Sequence, residues 1–177
     1  MGSNPITTLK TIIMKHLYMA RHAKSSWKHD LPDHQRPLKQ RGHSDATLVS
    51  QQIASELAPP DIIISSDANR ASSTAEYFRK AFGLSQDSLV LDHSLYDFSG
   101  QDVMHIIKTL DDRFNTVMIV GHNHAFTSVA NMLGSSYIDN LPTSGFVKIS
   151  FPVESWKDVT TGQTDKILFP RHLKTAN

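Results

Sequence analysis

Short apolar segments with strand character alternate along this chain with longer segments of helical periodicity. Parallel strands need long crossover connections, and helices usually supply them, so this alternation predicts a parallel-rich sheet with helices on both faces. We therefore expect an α/β fold, a three-layer α/β/α sandwich with a mostly parallel central sheet. The predicted strands are Lys15–Ala20, Ile62–Ser65, Ser88–Leu91, Val117–Val120, Phe146–Phe151 and, at an edge of the sheet, Lys166–Phe169.

The helices are predicted between those strands, at Ser44–Ala58, Ala71–Phe82, Gln101–Leu110 and from about Ala125 to Leu133. In the first helix apolar residues recur near helical spacing: Ala46, Leu48 or Val49, Ile53 and Leu57. Pro59 and Pro60 end that helix because proline cannot continue the backbone hydrogen bonding. Gly83 follows the second helix at a position where glycine is typical.

Composition excludes several classes of protein. The formal net charge is +1 without a run of Lys or Arg, which argues against a nucleic-acid partner. The chain has no cysteine, so a disulfide framework, a thiolate nucleophile and a cysteine metal site are excluded. No segment approaches the ~20 apolar residues of a membrane span. Residues 1–13 also lack the charged start and apolar core of a signal peptide, and we expect a cytoplasmic protein.

Cationic and imidazole residues follow three of the predicted strands. Arg21 and His22 end the first strand, Arg70 follows the second, and His122 follows the fourth. The carboxyl ends of parallel strands meet at one edge of a sheet, where α/β proteins bind ligands. A neutral imidazole can attack an electrophile, and guanidinium groups bind phosphate through forked hydrogen bonds. The sequence therefore predicts a phosphoryl-transfer site built from two arginines and two histidines.

The order of four motifs resembles the histidine phosphatase superfamily, which is phosphoglycerate mutase-like, and within it the small SixA-type phosphohistidine phosphatases. These motifs are Arg21–Ala23, Asp33–Leu38 with Arg41 and Gly42, Ser65–Ala75, and Gly121–Asn123. No single motif is specific, but their order and spacing together are. The resemblance runs from about Met14 to about Leu173. It implies a single domain over residues 14–177, preceded by an extension over residues 1–13 to which we assign no function.

The resemblance also implies roles for the residues at the strand ends. His22 is the expected nucleophile, and Arg21 and Arg70 are expected to clamp the phosphoryl oxygens. His122 is expected to donate a hydrogen bond to the phosphoryl group. Lys24 and Ser25 follow the nucleophile and are further candidates for substrate binding, although solvation of the surface accounts equally well for Lys24.

The general acid is the least defined part of the expected site. In larger relatives an acidic residue after the third strand protonates the leaving group, and Asp97 occupies the comparable segment. SixA-type phosphatases often lack such an acid, because the nitrogen of a phosphoramidate is readily protonated. Asp97 therefore has two interpretations, a catalyst or a turn residue before Gly100.

His122 and His124 also resemble the Gly-His-x-His end of a binuclear metallophosphoesterase. Those enzymes need an Asp-x-His near the start and an Asn-His-Glu or Asn-His-Asp in the middle, and the sequence contains neither. The remaining histidines show no shared ligand spacing. We therefore expect no metal ion and no other cofactor.

The expected activity is metal-independent hydrolysis of phosphohistidine on a protein, through a phosphohistidine intermediate at His22, in signal transduction. Relatives that act on sugars or phytate carry long insertions over the site, and the short connections here leave the cleft open to a phosphorylated protein. Two alternatives remain. One is a phosphatase of a small phosphorylated metabolite, and the other is a non-catalytic module that binds phosphate or a phosphoprotein.

Overall fold

The computed structural model describes residues 13–174, in which six strands form one sheet. The strands are β1 (Lys15–Arg21), β2 (Ile62–Ser65), β3 (Leu89–Leu91), β4 (Thr116–Gly121), β5 (Phe146–Phe151) and β6 (Gln163–Leu168). Their order is β3-β2-β4-β1-β5-β6. The first four pair in parallel, whereas β5 and β6 are antiparallel additions at one edge. The predicted mostly parallel sheet is confirmed. The predicted extension, apart from Ile13, lies outside the described residues.

The helices are α1 (Gln40–Glu56), α2 (Asn69–Ala81), α3 (Gln101–Lys108), α4 (Ala125–Leu133) and α5 (Pro170–Leu173). The start predicted for α1 at Ser44 is four residues too late. Pro37 restricts only the residue before it, so the chain is free to enter a helix soon afterwards. The sequence analysis missed α5, because a single turn of four residues leaves no periodicity to recognise.

Side chains alternate across the sheet and build two cores. Leu17 and Met19 of β1 face the core beneath α3 and α4, whereas Tyr18 and Ala20 face the core beneath α1 and α2. The choice between Leu48 and Val49 in α1 is settled by burial. Val49 is fully buried, and Leu48 is 41% exposed. Helices cover both faces, as the three-layer prediction requires.

The carboxyl ends of the central strands lie side by side because their hydrogen bonding continues just past the strands. The amide of His22 donates to the carbonyl of Gly121 over 3.0 Å, and the amide of Ser66 donates to the carbonyl of Val120 over 2.9 Å. These two bonds bring the segments after β1, β2 and β4 to one point on the sheet edge. In residues 13–174 no helix is both long and apolar enough to cross a membrane.

Candidate active site

His22 is positioned at the end of β1, with its ring orientation fixed by the backbone of the next residue. Its Nδ1 lies 2.8 Å from the carbonyl oxygen of Ala23. Since a carbonyl can only accept a hydrogen bond, Nδ1 must carry the hydrogen. The neutral ring then keeps its lone pair on Nε2, which has no hydrogen-bond partner among the described residues. His22 therefore presents the nitrogen that a nucleophile requires.

The surroundings of His22 keep its ring neutral. The side chain is 6% exposed, and this burial is the main reason that its pKa is lowered to about 3. The hydrogen bond to Ala23 acts in the opposite direction, while His122, Arg70 and Arg21 lower the pKa further. At neutral pH His22 is consequently unprotonated and able to attack.

His122 lies beside His22, with 5.2 Å between the ring centroids. Its Nε2 is 2.8 Å from the hydroxyl of Ser66, which also accepts a hydrogen bond from the amide of Ala68 over 3.2 Å. If that hydroxyl donates its own proton to Nε2, Nδ1 of His122 carries a hydrogen. Nδ1 is buried and has no partner in the described part of the chain. A phosphoryl oxygen would satisfy it.

Burial is also the main cause of the lowered pKa of His122, which falls to about 3. Arg70 and Arg21 lower the pKa further, and the carboxylate of Asp33 raises it. Both imidazoles of the site are therefore neutral at physiological pH. The positive charge of the site comes from its guanidinium groups.

Arg70 enters the site from the first turn of α2 and is 2% exposed. Its Nη1 donates to the backbone carbonyl of Asp33 over 2.7 Å, and its Nη2 donates to the carboxylate of Asp33 over 2.9 Å. The hydroxyl of Tyr96 also donates to that carboxylate. Burial raises the pKa of Asp33, but the hydrogen bonds from Tyr96, Arg70 and Arg36 outweigh it and lower the pKa to about 2. Asp33 is therefore an ionised carboxylate that orients Arg70.

Arg21, the last residue of β1, donates from Nη1 to the carbonyl of Leu141 over 3.0 Å. Its Nε and that of Arg70 are both buried without a hydrogen-bond partner in residues 13–174. Burial first, and the nearby charge of Arg70 second, lower the pKa of Arg21. Two guanidinium groups held this close repel each other, and an anion between them would relieve that repulsion.

Arg21, His22 and Arg70 line a cleft of about 260 Å³. Lys24 and Ser25, the two further candidates, line the same cleft. Lys24 is exposed, whereas the buried Ser25 accepts a hydrogen bond at its hydroxyl from Nη1 of Arg36 over 2.8 Å. The structure thus places the two predicted arginines and His22 around one cleft, with the His122 ring next to His22.

Asp97 is engaged in capping α3. One carboxylate oxygen accepts hydrogen bonds from the amides of Gly100, Asp102 and Val103, at 3.0, 3.1 and 3.2 Å. The other accepts from the amide and the hydroxyl of Ser99, at 2.9 and 3.0 Å. Burial raises the pKa of Asp97, but these hydrogen bonds outweigh it and lower the pKa. The geometry favours the turn-residue interpretation, because an ionised carboxylate with both oxygens occupied has no proton to give.

The two histidines of the metallophosphoesterase alternative are not brought together. His122 is fully buried on Ser66, whereas His124 is exposed at the start of α4. In the described range, the three side chains that could share a metal ion are His34, Asp67 and His93. Nε2 of His34 and Nδ1 of His93 lie 2.8 and 3.0 Å from the Asp67 carboxylate. The sequence analysis missed this group, because its members are far apart in the chain and meet only at the ends of β2 and β3.

Comparisons with known proteins identify the family of the chain. Residues 17–103 match the family model of the histidine phosphatase superfamily, branch 1. An uncharacterized chloroplastic protein of Arabidopsis thaliana is 32% identical over 157 residues, which cover 84% of this chain and 72% of that protein. The matched range contains Arg21, His22 and Arg70, and it ends before His122.

Solved structures share the fold at lower identity. SixA from Nakamurella multipartitia superposes with a TM-score of 0.77 at 21% identity, over 89% of this chain and 96% of that chain. The protein histidine phosphatase SixA in complex with tungstate superposes with a TM-score of 0.76 at 18% identity, over 90% of this chain and 99% of that chain. A mycobacterial glucosyl-3-phosphoglycerate phosphatase superposes with a TM-score of 0.60 at 13% identity, over 86% of this chain and 97% of that chain. The fold therefore includes proteins named for a phosphorylated protein and for a small metabolite.

Proposed function

The chain belongs to the histidine phosphatase superfamily, and from this premise we propose that it hydrolyses phosphohistidine on another protein, without a metal ion. The observation that carries the proposal is the hydrogen bond from Nδ1 of His22 to the carbonyl of Ala23. It fixes the tautomer that leaves Nε2 free, and the buried ring stays neutral. A covalent mechanism needs such a nitrogen at the cleft.

In the proposed first step Nε2 of His22 attacks the phosphorus of the substrate. A phosphorus–nitrogen bond to His22 forms as the phosphorus–nitrogen bond to the substrate imidazole breaks, and that imidazole takes a proton from solvent. In the second step water attacks the phosphorus, the bond to His22 breaks, and inorganic phosphate leaves. Because the bond broken and the bond made in the first step are alike, the intermediate is close in energy to the substrate.

The charge of the transferring group needs fixed donors around it. Phosphoryl transfer spreads negative charge over three equatorial oxygens, and preorganised hydrogen-bond donors stabilise it. The unpartnered buried Nε groups of Arg21 and Arg70 and the unpartnered Nδ1 of His122 are suitable donors. We assign the three side chains this role, with Lys24 and Ser25 at the mouth of the cleft.

Two features support a protein-borne substrate over a small metabolite. The segments that enter the site after β2 and β4 are only three residues each, residues 66–68 and 122–124. The longest connection, residues 22–39, folds back on itself through the pairing of Ser25 with Leu38. The two three-residue segments are too short to close over the cleft. Asp97 is the second feature, because its role as a cap leaves the site without the acid that alkyl esters require.

Trapping the phosphoenzyme tests the proposal. The protein is mixed with a radiolabelled phosphohistidine protein and quenched, and the label on the enzyme is tested for stability in acid and in alkali. We expect an acid-labile, alkali-stable adduct that His22→Ala abolishes together with turnover. His105→Ala changes an exposed histidine of α3 and should behave like the wild type.

Substantial turnover by a folded His22→Ala variant would exclude the covalent mechanism. Efficient hydrolysis of a sugar phosphate combined with no action on the phosphohistidine protein would instead favour the metabolite phosphatase. Absence of turnover on every phosphorylated substrate, with phosphate still bound, would favour the non-catalytic module. The three outcomes are distinguishable in one set of assays.

A further inference from the structure

A second, larger cleft of about 740 Å³ adjoins the catalytic cleft. The two share Lys24, Ser25 and Trp27 in their walls. Residues 24–29 form one wall, and residues 38–41 form the opposite wall. We call this second cleft the basic groove. A segment that carries a phosphorylated residue into the catalytic cleft would extend along it.

The charge of the groove has one sign. Lys24, Lys28, Lys39 and Arg41 line it and are all exposed, and no acidic side chain of residues 13–174 lines it. Arg41 has an acidic neighbour, Asp45, at 3.6 Å. The three lysines form no ion pair with the described residues. Since the whole chain carries a net charge of only +1, this is a local concentration of positive charge.

The backbone holds the two walls in place. The amide of Ser26 donates to the carbonyl of Pro37 over 2.8 Å, and the amide of Lys39 donates to the carbonyl of Lys24 over 3.0 Å. Gly42 permits this close approach, because a Cβ atom at that position would collide with the carbonyl of Lys24. The backbone of the two walls is therefore fixed before any partner binds, which lowers the entropic cost of binding.

Trp27 stands where the two clefts join and is 77% exposed. The guanidinium of Arg36 lies 3.5 Å from the centroid of its ring and covers one face. Large aromatic side chains anchored in this way are common at the centres of protein–protein interfaces. An exposed tryptophan between the catalytic cleft and a row of cations is suited to a peptide chain.

We infer that the basic groove binds acidic side chains that flank the phosphorylated residue of the protein substrate. This inference rests on the proposed function and adds the sequence context of the substrate. Four separate cations on flexible stems suit carboxylates distributed along a chain. A single second phosphate would instead favour a buried guanidinium fork. The groove thus selects partners by charge, while the catalytic cleft selects the phosphoryl group.

Two phosphohistidine peptides test the inference. They have the same length and apolar content, and Asp and Glu in the flanks of one are replaced by Asn and Gln in the other. We expect kcat/KM to favour the acidic peptide by about tenfold at low ionic strength, as a few exposed ion pairs would produce. The preference should fall as salt is added, because exposed charges are screened.

Charge reversal on the protein locates the effect. Lys28→Glu combined with Lys39→Glu should abolish the preference for the acidic peptide or invert it. Lys80→Glu combined with Lys108→Glu is the matched control, because both lysines are exposed at the far ends of α2 and α3. The control variant should keep the preference of the wild type.

Equal kcat/KM for the two peptides, or the same loss in both double variants, would overturn the inference. If neither peptide is hydrolysed while an aryl phosphate is, the proposed substrate class fails and the groove is tested by competition. The unphosphorylated acidic peptide should then inhibit aryl phosphate hydrolysis more strongly than its amide counterpart. Equal inhibition would overturn the inference, and a preference for a bisphosphorylated small molecule over both peptides would reassign the groove to a second phosphate.

Discussion

Asp97→Asn separates a catalytic carboxylate from a structural one. If Asp97 protonates an ester oxygen, its loss should slow alkyl phosphate hydrolysis by about 10²–10⁴-fold and spare aryl phosphates, whose phenolate leaves unaided. If Asp97 caps α3, the variant should be less stable and turn over phosphohistidine as fast as the wild type per folded molecule. The contacts of the carboxylate favour the second outcome.

The expected loss of stability follows from the backbone amides that lose their acceptor when Asp97 is replaced. The amides of Ser99 and Asp102 belong to exposed residues and can be hydrated, whereas Gly100 and Val103 are buried. A buried donor left unpaired costs about 1–3 kcal/mol. With two such donors, Asp97→Ala should lower the free energy of unfolding by about 2–6 kcal/mol. Asp97→Asn keeps one acceptor oxygen but turns an NH₂ group toward the remaining donors. We expect it to lower the free energy of unfolding by about 1–2 kcal/mol.

Thermal unfolding and steady-state kinetics on phosphohistidine, alkyl and aryl substrates measure both effects. For a chain of this size 1 kcal/mol lowers Tm by about 2–4 °C, so Asp97→Asn should melt several degrees lower. Asp92→Asn is the control, because the carboxylate of Asp92 caps a short turn with a single hydrogen bond, to the amide of Ser94. Asp92→Asn should therefore lower Tm less than Asp97→Asn does.

The stability difference should also depend on pH in a defined direction. The pKa of Asp97 is lowered in the folded protein, because the hydrogen bonds outweigh the effect of burial. Its stabilisation is therefore complete above the unfolded pKa of about 4 and is lost as the pH falls through the folded pKa. Asp97→Asn should differ most from the wild type at neutral pH. An unchanged Tm together with a selective loss on alkyl phosphates would refute the capping argument.

Other expected outcomes concern the clamp, the metal and the imidazoles. Arg70→Lys keeps the charge but removes the guanidinium fork, so kcat/KM should fall by about 10²–10³-fold. An unchanged kcat/KM would contradict the role of Arg70 in binding the phosphoryl group. A chelator should leave turnover unchanged, and loss of activity restored by a divalent ion would revive the metal mechanism. The rate of phosphoenzyme formation should not decline between pH 8 and pH 5, because the pKa of His22 is about 3. With an ordinary imidazole pKa of about 6.5 the neutral fraction would fall about thirtyfold at pH 5.

Local sequence patterns predicted most elements of the fold. β2, α4 and β5 have the predicted bounds, because each is a clear apolar run with a defined end. Gly83 lies after α2 with a φ of 70°, as expected for a glycine that follows a helix. The patterns failed at α5 and at the starts of α1 and β6. α5 is a single turn without periodicity, and polar residues begin both α1 and β6.

The candidate site was predictable to the extent that it depends on strand ends. Arg21 and His22 lie at the end of β1 and His122 at the end of β4, and parallel pairing of β1 with β4 makes them neighbours. The path of a loop determines the other contacts. Asp33 is hydrogen-bonded to Arg70, 37 residues later in the chain, and to Tyr96, 63 residues later. Contacts at such sequence separations leave no periodic pattern. The walls of the basic groove and the group of His34, Asp67 and His93 were missed for the same reason.

The pairing of Asp33 with Arg70 has a consequence for turnover. Two arginines with no counterion would bind inorganic phosphate tightly, and tight binding of product does not accelerate a reaction. Asp33 occupies one hydrogen of each terminal nitrogen of Arg70, through its carbonyl and its carboxylate. With both imidazoles neutral, Asp33 offsets one of the guanidinium charges that Arg21, Arg36 and Arg70 bring to the cleft. We therefore expect donor geometry, together with this partial neutralisation, to stabilise the transition state while the phosphate product can still leave.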